Sequence, residues 1–336
     1  MSLSPDTRET SSPLPDEAAR SVTEWLGEGW TAQPLAGDAS VRAYYRITGR
    51  DRASYILAYY PEEVRAQLAR FMGAYEALAQ GCRVPEVLHH GELAVLQRDV
   101  GARTIFDVLH DDREEAVRLY RMSIELLVAF QKAHADLNPA FTAEFFMNEL
   151  EMAREFYVCQ LMDVCDTEAL KPALKMLCEK VARHPYVLCH RDFHGQNVHY
   201  FNDTVYLIDY QDLRMGPDTY DLASLLRDRG VARILGDETE LDLLGYYGEL
   251  AGADAGLRQR YFETLLQRSI KILGTFARQP IERGRMHYLE FIPPTLESVR
   301  RCVAELPEFA AIGELVPMTF DMERARERAE QLHKEI

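Results

Sequence analysis

Three polar residues with a defined order carry the chemistry that this sequence suggests. Asp192 is followed by Asn197 and then by Asp209, which ends the apolar run 205–208. Transfer of a phosphoryl group from a nucleotide requires a carboxylate that orients and deprotonates the attacking hydroxyl. It also requires hard oxygen ligands that hold Mg²⁺ against the phosphates. Asp192 supplies the first group and Asn197 and Asp209 supply the second, so the three residues predict a phosphotransfer site.

The interval between the base and the first metal ligand supports this interpretation. Asn197 lies five residues beyond Asp192, as in the kinase catalytic-loop pattern HRDxxxxN, where one loop carries both groups. His190 and Arg191 complete the pattern as supporting residues, and we expect His190 to hold the loop rather than to shuttle protons. The alternatives are a loop cap for Asp192 and a bond to its own turn for Asn197. Asp209 ends an apolar strand, where a lone charge is costly unless it is paired or metal-bound.

Length and composition are typical of an enzyme with two lobes. The chain has 336 residues, 47% of them hydrophobic, and exceeds the ~100 to 200 residues of one domain. Its net charge of −16 argues against nucleic-acid or anionic-membrane partners. No apolar stretch approaches the ~20 residues that span a bilayer, and the N-terminus lacks a signal-peptide core, so we predict a cytoplasmic protein. Six cysteines without a CxxC pair predict reduced thiols rather than disulfides or zinc.

The hydrophobic pattern predicts a small β-rich lobe at residues 1–98. Alternation between about residues 31 and 60 predicts a sheet, and a helical pattern follows from Pro61 to Gly81. Two more strands are expected at 87–89 and 93–97, before the chain crosses into a second lobe.

The second lobe, residues 99–336, is predicted to be larger and mostly helical. Amphipathic patterns indicate helices over 116–130 and 145–162, and a charge-rich helix near the C-terminus. A short buried strand at 186–189 precedes Asp192, and a hairpin at 198–208 follows it. The fold class expected from these elements is α+β.

Several segments resemble a known enzyme superfamily. Residues 190–197 and 208–212 are similar to the signature of the aminoglycoside phosphotransferase superfamily, and residues 216–228 extend the match. The resemblance implies a bilobed protein-kinase-like fold, an ATP- or GTP-dependent kinase and Mg²⁺. It also implies a supporting role for Asp212, for which structural capping is an equal alternative.

Three segments are more specifically similar to bacterial kinases of cell-wall recycling, which phosphorylate the anomeric hydroxyl of N-acetylmuramate and N-acetylglucosamine. They are residues 35–40, 220–228 and 267–277. This resemblance implies a small-molecule partner, an amino sugar, in addition to the nucleotide.

The nucleotide contacts are expected in the first lobe. A glycine-containing turn is predicted to cover the phosphates, with an ordinary hairpin turn as the alternative; its residues are Gly37, Asp38, Ala39 and Ser40. The third strand lacks the lysine that kinases use for the α- and β-phosphates. We expect Arg42 or Arg46 to replace it, and Gln97 and Asp99 to lie where the chain crosses between lobes and the nucleotide base binds.

Contacts to the acceptor are expected from two helices of the second lobe. The residues are Asn148, Glu149, Arg154, Arg268 and Lys271. The alternative for Arg268 and Lys271 is that they are solvated charges on a helix surface. Within the same fold, an aminoglycoside or a small alcohol such as choline or homoserine stays open as the acceptor. A nucleotide-binding pseudokinase that serves as an interaction module is the alternative of another class, because the strand lysine is missing.

Overall fold

The computed structural model describes residues 14–35, 41–164 and 167–336. The described chain forms two compact units. The first contains the residues up to Gly101 together with Tyr206–Gln211, and the second contains Ala102–Val205 and Asp212–Ile336. The chain therefore enters the first unit a second time, for six residues that include Asp209, whereas the sequence alone predicts a single crossing near residue 99.

The first unit is built on an antiparallel sheet with the strand order β1-β2-β3-β5-β4. Two helices and five strands are described there, in the order α1 Asp16–Leu26, β1 Thr31–Leu35, β2 Ala43–Thr48, β3 Ser54–Tyr59, α2 Arg65–Leu78, β4 Val87–His90 and β5 Ala94–Arg98. Val22 of α1 packs in one core with Ile47, Leu57 and Leu96 of the sheet. Apolar residues on one face of each element explain this packing, because strand side chains alternate between the two faces of a sheet.

An ion pair fastens the end of β5 to the sheet. The Nε of Arg46 donates a hydrogen bond to Oδ2 of Asp99 at 2.7 Å, and the Ser54 hydroxyl donates to the same oxygen at 2.5 Å. The other oxygen of Asp99 accepts the Gly101 N–H at 2.9 Å. Burial opposes ionisation of Asp99, but these hydrogen bonds lower its pKa below the ordinary value. Asp99 therefore fixes the chain where the first unit ends.

The second unit is mostly helical. Its described helices are α3 Ile105–Asp111, α4 Arg113–Gln131, α5 Ala143–Met152, α6 Lys171–Val181, α7 Tyr220–Arg227, α8 Val231–Leu235, α9 Asp237–Ala251, α10 Leu257–Arg283, α11 Ile292–Glu305, α12 Ala310–Leu315 and α13 Met322–Glu335. The strands β6 Tyr186–Cys189 and β9 Arg214–Pro217 pair with each other, as do β7 Val198–Phe201 and β8 Thr204–Leu207. The sheet of the first unit and the helices of the second confirm the α+β fold class.

The long helix α10 forms the centre of this unit and contacts α5, α6, α7, α11 and α13. Gly274 on α10 lies against a π-helical segment, Ala153–Leu161, that continues α5. A Cβ at residue 274 would come within 2.6 Å of the main-chain nitrogen of Ala153. Only glycine permits the two helices to approach this closely.

Candidate active site

Aromatic packing holds the loop between β6 and β7, residues 190–197. The His190 ring packs edge-on against Phe130 and Phe193, with ring centroids 6.0 and 5.9 Å apart. His190 and Phe193 are both buried. Gly195 lies close to Phe106, because a Cβ at residue 195 would come within 3.1 Å of the Phe106 Cβ. His190 thus packs as part of the scaffold of the loop.

Asp221 of α7 anchors the main chain of the same loop. Its carboxylate accepts the N–H of His190 at 2.6 Å and the N–H of Arg191 at 2.9 Å. Burial raises the pKa of Asp221, while the His190 ring and the two N–H groups act in the opposite direction. Arg191 has a φ of 82°, a left-handed conformation that costs an L-residue about 1 to 2 kcal/mol. The paired hydrogen bonds to Asp221 stabilise that conformation.

Arg268 of α10 supports the loop from inside the unit. It is 2% exposed and donates hydrogen bonds to the carbonyl oxygen of Arg191 at 3.2 Å, to Ser224 Oγ at 2.8 Å and to Asp228 Oδ2 at 2.6 Å. Its guanidinium also lies over the Tyr220 ring, 4.4 Å from the centroid. Burial alone would lower the pKa of Arg268, but Asp228 and Tyr220 raise it, so the side chain stays charged. The sequence suggests this residue for sugar binding, whereas its contacts in the structure are internal.

Asp192 is exposed to solvent, unlike the residues that hold its loop. The surrounding protein atoms oppose its ionisation, but the charges of Lys271, His190, Arg268 and His194 outweigh them and lower the pKa of Asp192 below its ordinary value. An ionised carboxylate only accepts hydrogen bonds. Asp192 is therefore reachable and ready to accept a proton from a hydroxyl group.

Asn197 is oriented by the loop that carries Asp192. Its side-chain nitrogen donates a hydrogen bond to the main-chain carbonyl oxygen of Asp192 at 2.9 Å. The amide oxygen of Asn197 is directed away from that bond. It is a hard oxygen donor of the kind that binds Mg²⁺.

Two residues that the sequence suggests for substrate binding meet near Asp192. Lys271 of α10 forms an ion pair with Glu149 of α5 at 3.2 Å and donates a hydrogen bond to the Tyr220 hydroxyl at 3.3 Å. Gln267 donates to the other oxygen of Glu149 at 3.1 Å. Burial opposes the charge of Lys271, but Tyr220 and Glu149 raise its pKa, so it remains a cation. The pair places a cation and a carboxylate beside the loop of Asp192.

Arg214, at the start of β9, is a neighbouring cation that sequence patterns do not single out. Its guanidinium carbon lies 4.4 Å from the centre of the Phe145 ring and 5.0 Å from that of Phe141. Burial and the like charge of Arg191 lower its pKa, with Asp212 among the groups that act in the opposite direction. The only feature of the sequence that could have indicated Arg214 is its position, two residues after Asp212.

The remaining substrate-lobe predictions lie in other surroundings. Arg154 binds Glu151 of α5 at 2.6 Å and the Thr167 hydroxyl at 2.5 Å, so both of these contacts are internal to the second unit. Asn148 is exposed on α5, one residue before Glu149.

Asp209 belongs to the first unit, where it follows β8. It has a φ of 60° and its side chain is 42% exposed. Gln211 donates a hydrogen bond to its Oδ1 at 3.0 Å, and Nη2 of Arg42 lies 3.5 Å from the same oxygen. Burial alone would lower the pKa of Arg42, but Tyr44, Tyr60 and Asp209 raise it. Arg42 thus stays charged beside the predicted metal ligand.

The other described residues predicted for the nucleotide site are Arg46, Gln97 and Asp99. Arg46 is engaged by Asp99, as described above, and Gln97 is buried on β5. The turn residues Gly37, Asp38, Ala39 and Ser40 lie outside the described residues. Over the described ranges, no three or more His, Cys, Asp or Glu side chains form a group that could hold a metal ion.

The five-stranded antiparallel sheet of the first unit and the mostly helical second unit are typical of a protein-kinase-like class of fold. Residues 31–261 match the model of the phosphotransferase enzyme family. The N-acetylmuramate/N-acetylglucosamine kinase of Pseudomonas aeruginosa is 28% identical over 315 residues, which cover 87% of this chain and 91% of that protein. The protein of the same name from Neisseria meningitidis serogroup B is 30% identical over 303 residues, 84% of this chain and 89% of that protein. The chain therefore belongs to the phosphotransferase enzyme family, and the predicted resemblance is confirmed.

Solved structures agree on the fold. The ADP-bound aminoglycoside phosphotransferase APH(2'')-Ib is similar with a TM-score of 0.58 at 14% identity, over 86% of this chain and 99% of that one. None of the helices in the described part of the chain is long and apolar enough to cross a membrane.

Proposed function

We propose that this protein is a cytoplasmic sugar kinase of cell-wall recycling that transfers the γ-phosphoryl group of ATP or GTP to the anomeric hydroxyl of N-acetylmuramate or N-acetylglucosamine. The observation that carries the proposal is the ionised, exposed Asp192 on a loop held by Asp221 and Arg268. The names of the relatives from P. aeruginosa and N. meningitidis support the choice of acceptor. An anomeric hydroxyl is a weak nucleophile that needs such a carboxylate.

Asp192 would accept a hydrogen bond from the sugar hydroxyl and take its proton as the new O–P bond forms and the bond to the departing diphosphate breaks. The lowered pKa of Asp192 keeps it ionised before the reaction. Orientation, rather than strong basicity, is what a loose phosphoryl-transfer transition state requires. Asp221 and Arg268 hold Asp192 in place through the main chain of Arg191, so we regard them as positioning residues.

The residues expected to hold Mg²⁺ have suitable donor groups. Because the Asn197 nitrogen is engaged with the carbonyl of Asp192, its amide oxygen fits a hard cation. Asp209 is exposed and supplies a carboxylate. When bound, Mg²⁺ neutralises charge on the nucleotide phosphates. We propose Asn197 and Asp209 as its ligands.

For phosphate binding in the first unit, we favour Arg42 over Arg46. Arg46 is hydrogen-bonded to Asp99, so its charge stabilises the end of β5. Arg42 is charged and lies beside the exposed Asp209. The turn Gly37 to Ser40 remains part of the proposed phosphate site, and Gln97 and Asp99 part of the proposed nucleotide site.

An ADP-release assay with Mg-ATP tests the proposal. The acceptors are N-acetylmuramate, N-acetylglucosamine, kanamycin and choline, and phosphorus NMR identifies any product. We expect a glycosyl 1-phosphate from an N-acetylated sugar. Turnover with kanamycin or choline alone would reject an N-acetylated sugar as the acceptor but would support the proposed phosphotransfer site. Absence of turnover with every acceptor would favour the pseudokinase alternative.

A further inference from the structure

Four cationic side chains lie in or beside the loop of Asp192 although the whole chain carries a net charge of −16. They are Arg191, Arg214, Arg268 and Lys271. Two of the four have a carboxylate partner inside the unit, since Arg268 pairs with Asp228 at 2.6 Å and Lys271 pairs with Glu149 at 3.2 Å. Arg191 and Arg214 form no ion pair within 4.0 Å with any side chain of the described ranges. Two of the cations therefore lack a local counter-charge at contact distance.

The position of Arg214 is fixed by its surroundings. Its main chain pairs with Cys189 at the end of β6, directly before the catalytic loop. Its guanidinium stacks on the rings of Phe141 and Phe145. The Nε atoms of Arg214 and of Arg191 are both buried and have no hydrogen-bond partner among the described residues. The rings of Phe141 and Phe145 thus orient the Arg214 guanidinium, but they provide no hydrogen-bond acceptor for its Nε–H group.

This arrangement is unfavourable unless an anion completes it. Burial and the charge of Arg191 both lower the pKa of Arg214, so the two half-buried guanidinium groups repel each other. Glu149 and Asp212 act on Arg214 over a longer range only, since neither is within 4.0 Å. Buried donors such as these two Nε atoms normally have partners, and donors without partners beside a candidate active-site loop indicate a ligand.

We propose that Arg214, together with Arg191, binds the carboxylate on the lactyl group of N-acetylmuramate and so favours this sugar over N-acetylglucosamine. This inference rests on the proposed function and adds a specificity-determining residue to it. The planar fork of an arginine matches a carboxylate in two parallel hydrogen bonds. The rings of Phe141 and Phe145 offer apolar surface to the methyl group beside that carboxylate.

The same guanidinium pair could bind a different oxyanion, a phosphate group of the nucleotide. The two sources differ in what they predict. A carboxylate site affects only the acceptor that carries a carboxylate, whereas a phosphate site affects both sugars equally and changes the KM for the nucleotide.

The first experiment compares both sugars with the Arg214→Gln and Arg214→Lys variants. We expect Arg214→Gln to lower kcat/KM for N-acetylmuramate by about 10- to 100-fold, mainly through KM, because one charge-assisted pair is lost. Arg214→Lys keeps the charge but not the fork, so we expect a smaller loss. For N-acetylglucosamine the change should stay within about 3-fold. Arg121→Gln is the matched control, because Arg121 also stacks on an aromatic ring, that of Tyr246 at 4.8 Å, on an exposed helix face.

A second experiment does not depend on the folding of a variant. The methyl ester of N-acetylmuramate removes the negative charge from the substrate, and we expect the unaltered protein to use it about 10- to 100-fold less efficiently than the acid. The Arg214→Gln variant keeps Arg191, so it should distinguish the ester from the acid much less than the unaltered protein does, as in a double-mutant cycle.

Three outcomes would overturn the inference. Equal losses for both sugars in Arg214→Gln, with a raised KM for ATP, would assign Arg214 to the nucleotide. An unaltered protein that uses ester and acid equally well would show that the carboxylate is not recognised. In both cases phosphorylation of the sugars by the unaltered protein would leave the proposed function intact. Failure of the unaltered protein to phosphorylate either sugar would reject the proposed function itself, and the inference with it.

Discussion

The carboxylate of Asp221 accepts the main-chain N–H of His190 at 2.6 Å, across 31 positions of sequence. Together with its bond to the N–H of Arg191, this contact holds the residue before Asp192 in a left-handed conformation. The exposed Asp192 is thereby presented by a buried group that cannot itself reach a substrate. Asp221 therefore positions the residue that we propose as the base without itself contacting the substrate.

Asp221→Asn should weaken this arrangement. An amide can accept one of the two N–H bonds but presents its own NH₂ to the other donor, which leaves a buried group unsatisfied. We expect a loss of about 1 to 3 kcal/mol in the free energy of unfolding, measured by urea titration, and a lower kcat. Asp203→Asn is the control, because Asp203 is 78% exposed and should tolerate the change. Equal effects of the two variants would contradict the anchoring role of Asp221.

Asp192→Asn should remove turnover without unfolding the protein. Loss of the proton acceptor is expected to lower kcat by about 10²- to 10⁴-fold. Because the Asp192 side chain is exposed, the melting temperature should stay close to that of the unaltered protein. Thermal unfolding and the ADP-release assay measure the two quantities. A variant that keeps its turnover would exclude Asp192 as the base.

The pH dependence of kcat/KM should show the effect of the cations around Asp192. They lower the pKa of Asp192 below its ordinary value, so the carboxylate is protonated, and activity is lost, only as pH falls through that lowered pKa. In Lys271→Gln one cation is gone, and we expect the acidic limb of the profile to move to higher pH. The Lys271→Gln variant leaves Glu149 without its ion pair, so a second variant that also carries Glu149→Gln removes this complication. An unshifted limb in both variants would show that Lys271 does not act on the base.

Gly274→Ala should destabilise the second unit. The added Cβ would lie 2.6 Å from the main-chain nitrogen of Ala153, so the contact between α10 and the π-helical segment must open. We expect a loss of about 1 to 3 kcal/mol in the free energy of unfolding. Gly245→Ala on α9 is the control, since nothing lies within 4 Å of a Cβ there. That variant should gain about 0.5 to 1 kcal/mol from helix propensity. Similar values for both variants would contradict the close-approach explanation.

The two arginines of the first unit should respond differently to substitution. Arg42→Ala is expected to raise the KM for the nucleotide several-fold, because it removes a charged group next to Asp209. Arg46→Ala breaks the pair with Asp99, and the expected result is lower stability with a smaller change in KM. Steady-state kinetics and urea unfolding separate the two effects. An unchanged nucleotide KM in both variants would reject a phosphate-binding role for either arginine.

Local patterns in the sequence were sufficient for the fold class and for the elements around the site. Alternation predicts the strands near residues 87–89 and 93–97, and the structure has them at Val87–His90 and Ala94–Arg98. The predicted helix over 145–162 is present, but it changes from α to π geometry at Ala153. The hydrophobic pattern does not predict this change, which occurs where Gly274 of α10 approaches Ala153.

The sequence by itself was sufficient to predict phosphotransfer chemistry, because the order and spacing of Asp192, Asn197 and Asp209 are properties of short segments. Only the tertiary structure decided which charges act on that chemistry. Arg268 and Lys271 look alike as cations on one helix, yet one is bonded to the loop of Asp192 and the other to Glu149. No sequence pattern distinguishes Arg214 from the other arginines. Its proposed role in substrate binding follows from its position beside Arg191 and the aromatic rings. Electrostatic effects depend on distance in space, which a linear sequence does not contain.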